Sequence, residues 1–240
     1  MKRTNGSVRD VKSVLFRNSR AVIMCVALLL TYANTQVLFS QEATAGKSEV
    51  LSSATISARF NQLKGFDLDN KNLASDLSAK GFKAMTSDKN YVGRRQSFQL
   101  NGQTVTVEWL MQDYGKTGSK DIAALGRVKV SFDDRTEIYS FSLFFEGGDV
   151  SKVTEYKTDS QNNVIKANSW WSCFQDRVKS KCGATCLTAL ISCAGSSANS
   201  VSEFVGCFLG SCGVCALGAA ACCTCDCKWY CKAICGCCDR

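Results

Sequence analysis

"YVGRRQSFQLNGQTVTVEWLMQ", Tyr91–Gln112, decides how the middle of this chain folds. Two extended segments flank Asn101-Gly102, a pair suited to the positive backbone dihedrals of a two-residue hairpin turn. On the second segment Val105, Val107, Trp109 and Met111 alternate with Thr104, Thr106, Glu108 and Leu110. That period of two puts an apolar set on one face of a strand and a mostly polar set on the other.

Working outward from the hairpin, the pattern repeats downstream. Val128, Val130 and Phe132 alternate with Arg127, Lys129 and Ser131, and Tyr139, Phe141, Leu143 and Phe145 share one side of "EIYSFSLFFE". "VSKVTEYK" and "NVIKANSW" add two shorter candidates. Upstream, "FDLDNKNLASDLSAKGF" reads as a short helix: Asp69 or Asn70 caps it, Leu73 and Leu77 share a face, and Gly81 stops it. Residues 46–168 are therefore expected to form an α+β domain, a mostly antiparallel sheet with a helix on one face.

Nothing catalytic emerges from this domain. The chain has no histidine, which excludes hydrolases that depend on it and removes the commonest nitrogen ligand for zinc. Arg94-Arg95 and Asp133-Asp134 read as solvated strand ends or turns, because no other group converges on them. A folded domain without chemistry is most simply a binding domain; no cofactor, no metal and no enzymatic activity are expected.

The formal charge of +8 suggests a polyanion ligand until it is divided along the chain. Residues 1–41 carry six basic side chains and one acidic, residues 42–172 seventeen and sixteen, residues 173–240 six and four. Most of the net positive charge, +5 of +8, lies in residues 1–41, so a nucleic-acid partner is not expected.

Residues 1–41 themselves read as a secretory signal peptide. A basic stretch ends at Arg20, "AVIMCVALLL" follows, and small-x-small sites lie at Thr31-Tyr32-Ala33 and Ala43-Thr44-Ala45, so its end falls between 33 and 45. The alternative is an uncleaved anchor, but Thr31, Asn34, Thr35 and Gln36 interrupt the run before the ~20 residues that span a bilayer. A secreted, extracellular protein and a signal peptidase as processing partner follow from this reading. Met24 precedes Cys25 where a lipidation signal wants a small residue, so Cys25 belongs to the apolar run.

Fifteen of the sixteen cysteines lie beyond that domain, in residues 170–240: Cys173, Cys182, Cys186, Cys193, Cys207, Cys212, Cys215, Cys222, Cys223, Cys225, Cys227, Cys231, Cys235, Cys237 and Cys238. From Cys182 to Cys225 the only charged residue is Glu203. Ser200-Val201-Ser202-Glu203 has the form of a capping box before an apolar run. Cys182, Cys186 and Cys193 fall on one helical face, and Cys223, Cys227, Cys231 and Cys235 repeat every fourth residue as a slowly turning stripe. Two or three short helices cross-linked along such stripes are expected: a small, disulfide-rich, mainly helical module.

Three readings compete for these cysteines. Pairs spaced C-x-x-C at Cys212/Cys215, Cys222/Cys225 and Cys235/Cys238, with Cys225/Cys227, admit metal; a redox centre lacks the βαβ setting the motif needs. Export favours disulfides, and closed loops stabilise a module too small for a large core by ~2–4 kcal/mol each. Fifteen is odd, so at most seven internal pairs form and one thiol is free or bridges to another chain. Phe204 to Cys225 is long enough for a membrane anchor, but Gly206, Gly210, Gly213 and Gly218 make it a poor isolated helix, and a compact disulfide-linked knot accounts for them equally well.

The order of parts, with "WWSCFQDRVKSKCGATCLTALISCAG" and "GCFLGSCGVCALGAAACC", resembles precursors of halocin C-eight-like bacteriocins. The resemblance implies that residues 170–240 are released by a maturation protease as an antimicrobial peptide. It implies that residues 46–168 act as its immunity or masking partner. The target would be the membrane, or a membrane protein, of competing cells. The N-terminus lacks the Arg-Arg signal of archaeal members, which points to a bacterial relative. The main alternative is a secreted or surface cysteine-rich structural protein that cross-links through its odd thiol; a thiolate metal-binding protein is the third.

Overall fold

The structure, a computed structural model, describes residues 43–66, 68–149, 152–167, 169–196, 200–225 and 228–235. The signal segment, Cys25, Cys227, Cys237, Cys238 and the Cys235 side chain lie outside the described residues.

An eight-stranded antiparallel sheet organises the rest. Its strands are β1 (Ala43–Val50), β2 (Lys83–Ala84), β3 (Tyr91–Leu100), β4 (Gln103–Gly115), β5 (Ile122–Phe132), β6 (Arg135–Phe145), β7 (Val153–Thr158) and β8 (Val164–Ala167). They lie in the order β1-β3-β4-β5-β6-β7-β8, with β2 paired to β4. The hairpin forms as expected: Asn101 and Gly102 take φ of 51° and 81°, and Leu100 pairs with Gln103. Asp133, at φ 51°, occupies the matching turn between β5 and β6, so the Asp133-Asp134 pair is a turn.

Both faces of this sheet are covered, which extends the expectation of a helix on one face. On one side lie α1 (Ser53–Phe66) and α2 (Leu68–Ala79), which bury Ile56, Phe60, Leu73 and Leu77 against Leu110, Tyr114, Ala123 and Leu125. Only α2 was legible as a helix. It starts at Leu68, which places Asp69 inside its first turn rather than at the cap, and Asn70 is buried. Gly81 at φ 85° follows its end. The α1 segment, SATISARFNQLKGF, shows no clear apolar stripe, and among its described side chains Ile56 and Phe60, four apart, are the fully buried pair. β1 is an exposed edge strand with no apolar alternation to announce it.

The opposite face, which carries Val105, Val107, Trp109 and Met111, is covered by the cysteine-rich module itself. It contains α3 (Trp170–Lys181), α4 (Gly183–Ser196), α5 (Val201–Thr224) and α6 (Trp229–Cys235). That is four helices among the described residues where two or three were expected, and α5 is long, with a break in helical geometry at Cys212 (φ −129°, ψ 18°). Ser200 caps α5 and its hydroxyl accepts from the Glu203 amide at 3.0 Å, as the capping-box reading requires. One continuous apolar core runs from the strands into α3, α5 and α6.

Candidate functional site

A nested set of disulfides links the module internally. Cys193–Cys207, Cys186–Cys212, Cys182–Cys215 and Cys173–Cys223 close loops with sequence separations of 14, 26, 33 and 50. Each encloses the one before, so α3 and α4 are zipped antiparallel onto α5. The stripe Cys182, Cys186, Cys193 is realised, although Cys182 terminates α3 while the other two belong to α4.

Corrections concern the other cysteines. Cys212 and Cys215 face α4 and the end of α3 and pair there, because residues three apart on a helix point to the same neighbour. Cys225 pairs with Cys231 across the turn into α6. The four-residue stripe from Cys223 does not form one seam: α5 ends at Thr224 and α6 begins at Trp229, so Cys223 and Cys231 bond to different partners. Cys222 is also disulfide-bonded, so every cysteine side chain among the described residues is oxidised. Disulfide sulfurs are not thiolates, and among the described residues no three metal-binding side chains cluster.

The candidate site is the surface where this zipped module meets the sheet. Its apolar centre is aromatic. Trp170 of α3 stacks on Phe141 of β6 at 4.6 Å and meets Trp109 of β4 edge-on at 5.3 Å. Phe174 meets Trp109 edge-on at 5.0 Å, and Phe208 of α5 extends the group through Phe174 at 6.0 Å. Each such pair contributes ~0.5–1.5 kcal/mol beyond its buried area. Gly126, opposite Phe141 on β5, makes the packing possible, since a Cβ there would lie 2.4 Å from the Phe141 ring.

Around this centre the sheet reaches the helix ends with buried carboxylates. Glu155 of β7 accepts from the Trp171 amide at 2.7 Å and from the Tyr139 hydroxyl at 2.5 Å. It supplies the cap that α3 lacks, because the Ser169 side chain makes no capping bond. Burial, reinforced by the hydrogen bond to Glu155 and its charge, pushes the Tyr139 hydroxyl far above the usual tyrosine range.

Asp113 of β4 does the same at α5. It accepts from the Ser202 amide and hydroxyl, each at 2.9 Å, and from the Ser200 hydroxyl at 2.6 Å. Loss of solvent pushes this carboxyl above the usual aspartate value, while hydrogen bonds from Ser200, Ser202 and Asn90 pull it back. Negative charge at a helix N-terminus meets the exposed amides and the positive end of the helix dipole.

The third polar contact is Arg94 of β3. Its Nη1 donates to the Leu209 carbonyl at 2.6 Å and its Nε to Ser48 Oγ at 3.1 Å. This carbonyl lies one turn before the break at Cys212. Gly213 leaves the space the guanidinium occupies, since a Cβ there would sit 2.5 Å from Arg94 Cζ. Arg94 is thus an anchor on α5 and not the solvated strand end expected, whereas Arg95 pairs with Glu108 on the far face.

Asp113, Glu155 and Arg94 had no local signature. Each is a polar residue on a strand, and its role exists only once a helix end or a helix break is brought against it. Comparison with known protein families, curated proteins and solved structures finds no match.

Proposed function

We propose that the chain is the precursor of a secreted bacteriocin. In this reading residues 170–240 are the antimicrobial peptide and the sheet domain before them is its masking and immunity partner. The single observation that carries the reading is where the covalent bonds run. Every described disulfide joins two residues C-terminal to Ser169, so none ties the module to the sheet.

A cut in the connection between β8 and α3 would therefore leave a cross-linked helical peptide held on the sheet by non-covalent contacts: apolar packing, the two carboxylate caps, Arg94, the Ser202 bond to the Asn90 carbonyl, and the Glu137 carboxylate of β6, which pairs with Lys228 and accepts from the Tyr230 hydroxyl at 3.2 Å. Lifting it off would expose Trp170, Phe174, Phe204 and Phe208 together. Contiguous apolar surface of that extent marks a membrane or protein partner. α5 is the one described helix long and apolar enough to cross a bilayer, and its 24 residues reach ~36 Å at ~1.5 Å each.

Intact mass of the secreted material, with and without reduction and alkylation, tests this. The expected product is a peptide beginning near residue 170 with its cysteines oxidised, which permeabilises vesicles or kills sensitive cells and is neutralised by the sheet domain. An uncleaved product, or a purified peptide without either activity, removes the proposal.

A further inference from the structure

The face of the sheet turned away from the cysteine-rich module carries a second, unrelated feature. α1 and α2 bury the apolar part of that face, and beside Arg59 of α1 the strand residues Thr106, Lys129 and Ser131 are half-buried. Arg59 reaches from α1 to Glu108 of β4 and forms an ion pair with Oε2. Arg95, the cross-strand neighbour on β3, donates to the same oxygen through Nη2 at 2.7 Å and Nε at 3.1 Å. Lys129 is the cross-strand neighbour on the other side, on β5.

These residues, with Thr106 and Ser131, line a cavity of about 300 Å³. Among the described residues, every one that lines it is polar or charged. The Glu108 carboxylate, at 8% exposure, is nearly sealed and holds both arginines in place. Glu49 approaches Arg95 from the rim at 3.7 Å. Lys129 has no carboxylate within ion-pair distance among the described residues. Three cations against Glu108 and Glu49 leave an excess of one positive charge, on Lys129, in a hydroxyl-bearing pocket.

We infer that this cavity, formed by Arg59, Arg95, Lys129, Thr106 and Ser131 around Glu108, binds a phosphate group. The four oxygens of phosphate can meet the guanidinium, ammonium and hydroxyl donors of this lining together, whereas the two oxygens of a carboxylate cannot. Glu108 fixes the guanidiniums in advance, which reduces the ordering cost of binding, and guanidinium, ammonium and hydroxyl donors together suit the several oxygens of phosphate. A monohydrogen phosphate can also donate its proton to the Glu108 oxygen not taken by the arginines.

Calorimetric titration of the full secreted chain with inorganic phosphate tests the site, with acetate as the comparison anion. Millimolar or tighter binding is expected, weaker at high salt, and Lys129→Ala and Arg59→Ala should each weaken it by about tenfold, equivalent to ~1.4 kcal/mol. Lys129 is half-exposed on a strand, so an unchanged melting temperature for Lys129→Ala shows that the loss is local. Vesicles containing phosphatidic acid separate the sources. Competition between these vesicles and free phosphate identifies a headgroup ligand; phosphate binding without vesicle binding identifies a soluble one. Absence of phosphate binding, equal binding of acetate, or unchanged binding by both variants overturns the inference.

Discussion

The helices α1 and α2 and the helices α3 to α6 cover opposite faces of one sheet, but only the second group carries its own covalent frame. α1 and α2 contain no cysteine and are held by Ile56, Phe60, Leu73 and Leu77, so their order depends on the strands beneath them. The other group is zipped by nested disulfides and touches the strands through an aromatic centre bordered by Asp113, Glu155 and Arg94. The difference teaches that one cover is an integral layer of the domain. The other is cross-linked within itself and joined to the strands by no described disulfide.

Reduction should break this contrast most severely. Four nested loops at ~2–4 kcal/mol each amount to as much as the whole stability of an ordinary domain, ~5–15 kcal/mol. After reduction and alkylation, amides in α3 to α5 should lose hydrogen-exchange protection, while those of β4 and β5 next to α1 and α2 keep more of theirs. The exposed face should bind an apolar dye. Simultaneous loss of protection on both faces would show that the two covers form one cooperative unit, and the contrast would fall.

Truncating one aromatic ring on each face comes next. Trp170→Ala and Phe60→Ala should each cost ~3–5 kcal/mol in denaturant unfolding of the intact chain, because both rings are fully buried. They should diverge once the chain is nicked at a protease site engineered between β8 and α3. Only Trp170→Ala should then promote separation of the two pieces on gel filtration. Equal separation in both variants would mean that the aromatic centre does not govern attachment.

Sequence pattern made one side of this comparison legible and concealed the other. The Asn101-Gly102 turn, the alternation through Val105, Val107, Trp109 and Met111, and the capping box at Ser200 are local signals, and each formed where it was read. The disulfide partners were not readable, because C-x-x-C spacing draws attention to neighbours such as Cys212 and Cys215. Helix geometry instead sends both to a facing helix. The stripe from Cys223 failed because a turn after Thr224 resets the helical phase. Asp113 and Glu155 could not be singled out, since a carboxylate on a strand becomes a helix cap only through tertiary placement.

Replacing a carboxylate cap should have an intermediate effect. Asp113→Ala leaves the Ser202 amide and the Ser200 hydroxyl buried without their acceptor, at a cost of ~1–3 kcal/mol. The pH dependence has a definite sign. The folded carboxyl binds its proton more tightly than the unfolded one, whose ordinary value is 3.8. Its contribution is therefore fully present below that value and is lost as pH rises through the elevated folded value. The stability difference between the native chain and Asp113→Asn, followed by denaturant unfolding across this window, should shift against the native chain with rising pH. A flat difference would show that Asp113 titrates as it does in the unfolded chain.

The smallest effect belongs to Arg94 and Gly213, and there the informative quantity is the coupling. Gly213→Ala alone gains helix propensity of up to ~1 kcal/mol. Its new methyl, however, displaces the guanidinium and breaks the bond to the Leu209 carbonyl, a loss of ~1–2 kcal/mol. Arg94→Ala alone loses the same bond. With Arg94 already removed, the methyl of Gly213→Ala enters vacated space and only the propensity gain remains. The double variant should thus be no less stable than Arg94→Ala, although each single change destabilises. A double-mutant cycle by denaturant unfolding reads this coupling directly. Additive costs would mean that the break at Cys212 exists without the sheet, and that Arg94 merely meets a bend α5 already has.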